Sequence, residues 1–159
     1  MQYRHSASFG KRQEFGAISE LLRRGYDVYL TLVDDQGIDC IVRQDENKYF
    51  DVQIKARSSM CNPRNAGHFP LLEISRPRQN YVFIFYSEQI DTYWVIPSTV
   101  MVKPGFCNSI KSGPKKGRYR IMLTNYSTSK KQVTPRPKYQ KYIDAFGSVF
   151  GEPIIKALE

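Results

Sequence analysis

The stretch at residues 49–56 reads YFDVQIKA, and alternate residues in it differ sharply in polarity. Because successive side chains of a β-strand point to opposite faces of a sheet, this stretch predicts a strand with one apolar and one polar face. The apolar face carries Phe50, Val52 and Ile54. The other face carries Tyr49, Asp51, Gln53 and Lys55. That polar face is either a solvated surface or a functional site, and alternation alone favours the solvated surface.

Two further strands are predicted before it, at residues 26–32 (YDVYLTL) and 38–43 (IDCIVR), because both are rich in β-branched and aromatic residues. A DDQG cluster separates the first from the second, and QDENK separates the second from residues 49–56. Short polar connections of this kind favour antiparallel neighbours. The three strands are therefore predicted to form an antiparallel meander.

A helix is predicted ahead of the meander, over residues 11–24. Its apolar residues recur at helical spacing: Phe15, Ile18, Leu21 and Leu22. Gly25 follows directly, at a position where helices commonly end.

The rest of the chain alternates apolar stretches with polar connections. Strands are predicted at residues 81–86 and 92–97, with shorter apolar pieces at 69–75 and 118–124. Loops are predicted at residues 57–68, 103–117 and 125–138. A helical pattern starts at about Tyr139 and is interrupted near residues 151–153. This order predicts a single α/β domain over residues 1–159, with a mixed sheet flanked by helices.

The charge balance favours a polyanionic partner, because 24 Lys and Arg residues against 15 Asp and Glu residues give a net charge of +9. Nucleic acid is the first expectation and an anionic membrane surface the second. We expect no membrane span and no secretory signal, because the sequence lacks the long apolar run that either needs. Cys40, Cys61 and Cys107 are predicted to be free thiols in a reducing cytoplasm, since they are odd in number and widely spaced.

Two carboxylates stand at unusual positions in this pattern. Asp39 lies where the turn before residues 38–43 becomes a strand. Glu14 shares the core-facing stripe of the predicted helix with Ala17, Ile18 and Leu21. A carboxylate on such a stripe is costly unless a cation or hydrogen bonds compensate it. The alternative is that Glu14 lies at the edge of the stripe near the helix start, where an acid suits the helix dipole.

These residues, in this order, resemble the PD-(D/E)XK nuclease superfamily. The resemblance rests on Glu14, on Gly25 and Tyr26, on Gly37–Ile38–Asp39, and on the run from Asp51 to Lys55. It covers residues 9–57, and the strand pair at 81–97 is typical of some members. The superfamily includes restriction endonucleases, archaeal Holliday-junction resolvases and some small homing endonucleases. The resemblance therefore implies a restriction-endonuclease-like fold and an endonuclease that hydrolyses DNA.

The resemblance also implies a role for each residue. Glu14, Asp39 and Gln53 would bind Mg²⁺, which prefers oxygen ligands and for which Mn²⁺ can substitute. Lys55 would be the catalytic lysine. Gln53 stands where the superfamily usually has an acid, so this is a Q-x-K variant with less negative charge. Asp51 could partly compensate for that charge. The substitution leaves open a second interpretation, a site that binds DNA without cutting it.

Basic and polar residues in the loops are candidates for contacts with double-stranded or branched DNA. The candidates are Arg57, Asn62, Arg64, Asn65, Lys115 and Lys116. Cutting both strands needs two active sites, so a homodimer or higher homo-oligomer is expected. A third interpretation is a basic interaction protein of unrelated fold, in which Glu14, Asp39 and Lys55 would lie far apart.

Overall fold

Helix α1 spans Gln2–Arg23 and packs against the main sheet through Ala17, Ile18 and Leu21, which are buried. The computed structural model describes residues 2–33 and 36–153, with side chains from residue 7 onward. The helix was therefore predicted correctly, but it begins well before residue 11. It ends as expected, because Gly25 adopts a φ of 90° and donates its N–H to the Leu22 carbonyl oxygen at 2.9 Å.

The core-facing stripe of α1 consists of Ala17, Ile18 and Leu21, as predicted. Phe15 and Leu22 are 56% and 53% exposed, so they do not belong to the core. They flank the stripe, although their spacing fits the same helical period.

The strands that follow form a mixed sheet and a second, smaller layer. Their bounds are β1 (Asp27–Leu30), β2 (Cys40–Arg43), β3 (Tyr49–Arg57), β4 (His68–Leu72), β5 (Tyr81–Ser87), β6 (Thr92–Pro97), β7 (Asn108–Ser109), β8 (Tyr119–Met122), β9 (Thr124–Ser127) and β10 (Gln132–Pro135). The helices α2 (Ser98–Met101) and α3 (Phe146–Phe150) complete the chain, with short 3-10 turns between elements.

The main sheet has the order β1-β2-β3-β5-β6. Strands β1, β2 and β3 form the predicted antiparallel meander. Strand β5 then joins β3 in parallel, and β6 returns antiparallel to β5. The α/β class with a mixed sheet flanked by helices is thereby confirmed. Parallel pairing of β3 with β5 makes β3 the central strand of the sheet, with both of its edges paired.

The second layer consists of the sheet β4-β8-β7 and the hairpin of β9 with β10. It corrects one prediction, because residues 125–138 were expected to form a surface loop and instead contain most of this hairpin. Polar and proline residues obscured the alternation there, and Pro135 is tolerated at the last residue of the edge strand β10.

Each face of the main sheet packs against a separate core. Val82 and Ile84 of β5 face α1 and α3, whereas Phe83 and Phe85 face the second layer. Strand β5 is buried on both sides, which explains its continuous apolar sequence. The polar side chains of β3 thus emerge between the main sheet and the second layer.

Residues 137–142 form a 3-10 turn, and α3 ends at Gly151. The predicted helical pattern beyond residue 153 and the aspartates of the predicted DDQG turn lie outside the described residues. Cys40, Cys61 and Cys107 are free thiols, as predicted. None of the helices described in the structure is long and apolar enough to cross a membrane.

Candidate active site

The site begins where β2 and β3 separate, at Asp39. Its backbone N–H donates to the Val52 carbonyl oxygen at 2.8 Å, and its Oδ2 accepts the Ile54 N–H at 2.6 Å. The Asp39 carboxylate therefore accepts the Ile54 N–H in place of a backbone carbonyl oxygen of the neighbouring strand. This bond fixes one carboxylate oxygen beside β3, at the level of Gln53, and orients the whole group.

The chain entering Asp39 is held from the other side by β1. Thr31, just after β1, donates its hydroxyl to the Ile38 carbonyl oxygen at 2.8 Å. Gly37 precedes with a φ of 68°, a left-handed conformation that suits glycine. The tight turn and the hydroxyl together set the direction in which the chain delivers Asp39 to the fork between β2 and β3.

Glu14 reaches the same place from α1. Glu14 and Asp39 line one cavity of about 110 Å³, together with Lys11 and Thr31. The pKa of the Cys40 thiol is raised to about 12, mainly by burial and then by the negative charges of Asp39 and Glu14. Both carboxylates are thus close enough to act on one buried thiol.

Glu14 is neither near the helix start nor fully buried. The helix begins at Gln2, about three turns earlier, so the helix dipole does not account for its position. Its side chain is 23% exposed and pairs with Lys11, with Nζ and Oε2 2.7 Å apart. Lys11 is the compensating cation that this position requires, and it stands one helical turn before Glu14.

Gln53 lies on β3 in contact with the turn that precedes Asp39. Its Oε1 is 3.1 Å from the hydroxyl of Tyr81, which is also 3.2 Å from the Gly37 carbonyl oxygen. A Cβ at Gly37 would lie only 3.0 Å from the Gln53 Nε2. The amide therefore packs directly on the Gly37 backbone, an approach that a side chain at residue 37 would obstruct.

Lys55 follows on the same face of β3 and is half-buried. Within the described part of the chain, its ammonium has no hydrogen bond or ion pair. It lines a cavity of about 290 Å³ with Arg57, Phe69 and Leu72. An ammonium held there is available for a ligand.

The structure brings two of the predicted residues into one cavity and places the other two beside it on β3. Asp39 and Glu14 share a cavity, and Asp39 is bonded to the residues on either side of Gln53. Gln53 and Lys55 line separate cavities beside β3. Asp51 forms an ion pair with Arg78, so it does not supply the extra charge suggested from sequence.

The donor set is suited to a hard cation. No group of three or more His, Cys, Asp or Glu side chains in residues 7–33 and 36–153 is arranged to hold a metal ion. The carboxylates of Asp39 and Glu14, which share the cavity, offer oxygen donors only. Oxygen ligands with several retained waters are what Mg²⁺ prefers, whereas Zn²⁺ takes nitrogen and sulfur.

The residues predicted to contact DNA differ in how many contacts their side chains make within the protein. Arg57 donates to the His68 carbonyl oxygen at 2.7 Å and lies over Phe69, so it anchors β4. Asn62 caps the 3-10 turn Pro63–Asn65 by accepting the Arg64 N–H at 3.0 Å.

The remaining candidates are more accessible. Arg64 lies over the ring of Tyr126, with Asn65 exposed beside it. Lys115 and Lys116 are exposed in the turn between β7 and β8. These two lysines are therefore the candidates with the most freedom to meet a phosphate.

Sequence comparison found no matching family model, and no curated protein matches significantly. Among solved structures, the chain is similar to a bacterial homing endonuclease, I-Ssp6803I. The TM-score is 0.57, with 18% identity over 93% of each chain. The fold is that of a nuclease. At this identity the likeness shows the fold alone, and it contradicts the interpretation that the chain has an unrelated fold.

Proposed function

We propose that this protein is a metal-dependent endonuclease that hydrolyses DNA phosphodiester bonds, a Q-x-K member of the PD-(D/E)XK superfamily. The observation that carries the proposal is the meeting of Asp39 and Glu14 in one cavity at the fork between β2 and β3. The fold shared with a homing endonuclease supports it. Paired carboxylates can hold a cation that assists phosphodiester hydrolysis, and a lysine lies on the neighbouring strand β3.

Asp39 and Glu14 would hold Mg²⁺, for which Mn²⁺ can substitute, and Gln53 would add a neutral oxygen ligand. When bound, the cation makes water a better nucleophile and offsets charge at the phosphate. Asp39 is already oriented by the Ile54 N–H. Glu14 would exchange its partner Lys11 for the cation.

Lys55 would act on the reacting groups themselves. Its ammonium can donate hydrogen bonds to the attacking water and to the phosphate oxygens as negative charge grows. Half-burial on β3 limits competition from bulk water. One chain carries one such set of residues, so we propose a homodimer or higher homo-oligomer for cleavage of both strands.

The direct test is nicking of supercoiled plasmid by the purified protein. Relaxed and linear DNA are expected with Mg²⁺ or Mn²⁺ and no cleavage with a chelator. The competing function is a nucleic-acid-binding module on the same scaffold, favoured by the missing charge at Gln53. Retarded DNA without cleavage in either metal would support that module and contradict the endonuclease.

DNA binding without metal is expected to weaken steeply as salt rises, because basic residues release counterions from phosphates. Replacing both Lys115 and Lys116 with alanine should reduce the slope of log affinity against log salt by about two. Lys48→Ala, in the turn before β3, serves as a control with an exposed lysine removed elsewhere. A slope unchanged in the double variant would exclude the two lysines from the DNA interface.

A further inference from the structure

Tyr81 is a buried tyrosine whose hydroxyl points into the candidate site. It opens β5, is 3% exposed, and lies against both Gln53 and the Gly37 turn. The nuclease pattern in the sequence includes no residue of this kind at β5. A buried hydroxyl needs hydrogen-bonding partners, and those of Tyr81 include a predicted metal ligand and the backbone two residues before Asp39.

The single proton of the Tyr81 hydroxyl determines which end of the Gln53 amide can face it. The Tyr81 hydroxyl has one proton, yet it faces the oxygens of both Gly37 and Gln53, at 3.2 and 3.1 Å. Both contacts become good hydrogen bonds when the amide turns about its last bond. Tyr81 then donates to Gly37 and accepts from the Gln53 NH₂ group. The amide oxygen and nitrogen are alike in shape, so this arrangement costs no packing.

The Tyr81 ring is itself held from behind. The Arg78 guanidinium lies over it, 4.7 Å from the ring centre, and pairs with Asp51. The buried Ser98 hydroxyl bridges the Arg78 N–H and carbonyl oxygen, at 2.9 and 2.8 Å. The ring therefore has little freedom to follow a moving Gln53 side chain.

We propose that Tyr81 is a positioning residue that turns the Gln53 carbonyl oxygen toward the cation held by Asp39 and Glu14. The inference rests on the proposed function. A glutamine has no charge to orient it toward a cation, whereas a carboxylate presents oxygen in either orientation. The hydrogen bond from the NH₂ group to Tyr81 supplies the missing orientation. The same hydroxyl also fixes the Gly37 turn that leads to Asp39.

The test is Tyr81→Phe, which removes the hydroxyl and keeps the ring. The Mg²⁺ concentration for half-maximal cleavage is expected to rise by about tenfold, with the rate at saturating Mg²⁺ close to that of the wild type. Combined with Gln53→Ala, Tyr81→Phe should have a clearly smaller effect than it has alone, since only its contact with the Gly37 turn is then left to lose. Tyr26→Phe is the matched control, because it also removes a hydroxyl that donates to a backbone oxygen, that of Gly151 at 2.9 Å.

A second readout is independent of cleavage. The side-chain NH₂ resonances of Gln53, identified by their loss in Gln53→Ala, should shift in Tyr81→Phe and stay in place in Tyr26→Phe. A wild-type Mg²⁺ dependence in a well-folded Tyr81→Phe protein would overturn the positioning role. Absence of cleavage by the wild type would overturn the proposed function instead. If the wild type does not cleave, the resonances still test the contact: unshifted Gln53 NH₂ resonances in Tyr81→Phe would show that Tyr81 does not hold the amide.

Discussion

Replacing Asp39 with asparagine is expected to lower the rate of plasmid nicking by about a thousandfold, the equivalent of several kcal/mol of transition-state stabilisation. The change removes one negative charge from the pair formed with Glu14. Asparagine keeps a side-chain oxygen that can accept the Ile54 N–H, so the fork between β2 and β3 should survive. The rate is measured at several Mg²⁺ concentrations, with thermal unfolding as the check on folding.

Asparagine isolates the charge better than alanine does. Asp39→Ala would also leave the Ile54 N–H without its partner, at a cost of about 1–3 kcal/mol in the free energy of unfolding. Asp27→Asn is the matched control, because Asp27 is a carboxylate on the same sheet outside the proposed site, 3.2 Å from the Tyr29 hydroxyl and opposite Arg43. Wild-type nicking by Asp39→Asn would remove Asp39 from the site and with it the proposed metal centre.

Replacing Lys55 with methionine is expected to lower the cleavage rate by about a hundredfold or more while Mg²⁺ still binds. Methionine keeps the apolar stem that lines the cavity beside β4 and removes only the ammonium. An ammonium near the site repels a cation, so its loss should leave Mg²⁺ affinity unchanged or slightly higher. Calorimetry of Mg²⁺ binding and single-turnover cleavage separate the two effects.

Lys48→Met, which alters an exposed lysine one residue before β3, should behave like the wild type in both measurements. A collapse of Mg²⁺ affinity in Lys55→Met would show that Lys55 supports the metal site and not the chemistry. Equal loss of activity in both variants would point to a general effect of charge on DNA binding, and the difference from the wild type should then shrink at higher salt.

The sequence by itself determined the elements whose signals are local. The alternation at residues 49–56 predicted both faces of β3, because a period of two follows from strand geometry without knowledge of any neighbour. Short polar connections likewise predicted the antiparallel meander of β1, β2 and β3. Glu14, Asp39, Gln53 and Lys55 could be proposed because each stood at a recognisable point in one of these elements.

Only the tertiary structure decided what each polar side chain meets. Asp51 and Gln53 share one face of β3, yet Asp51 pairs with Arg78 and Gln53 contacts Tyr81. Both partners come from the segment that enters β5, and parallel pairing of β5 with β3 brings them there. The alternation within residues 49–56 carries no information about which distant strand pairs with β3.

The same physical reason accounts for the corrections. Arg57 stays a predicted DNA contact, but packing of β4 places the His68 carbonyl oxygen and the Phe69 ring against it, which the sequence did not predict. The hairpin of β9 and β10 depends on its partner strand and not on strong alternation of its own. Local pattern thus determined the first helix and the strands of the main sheet, and contacts between distant segments decided the β9–β10 hairpin and which polar groups are free to bind a cation or DNA.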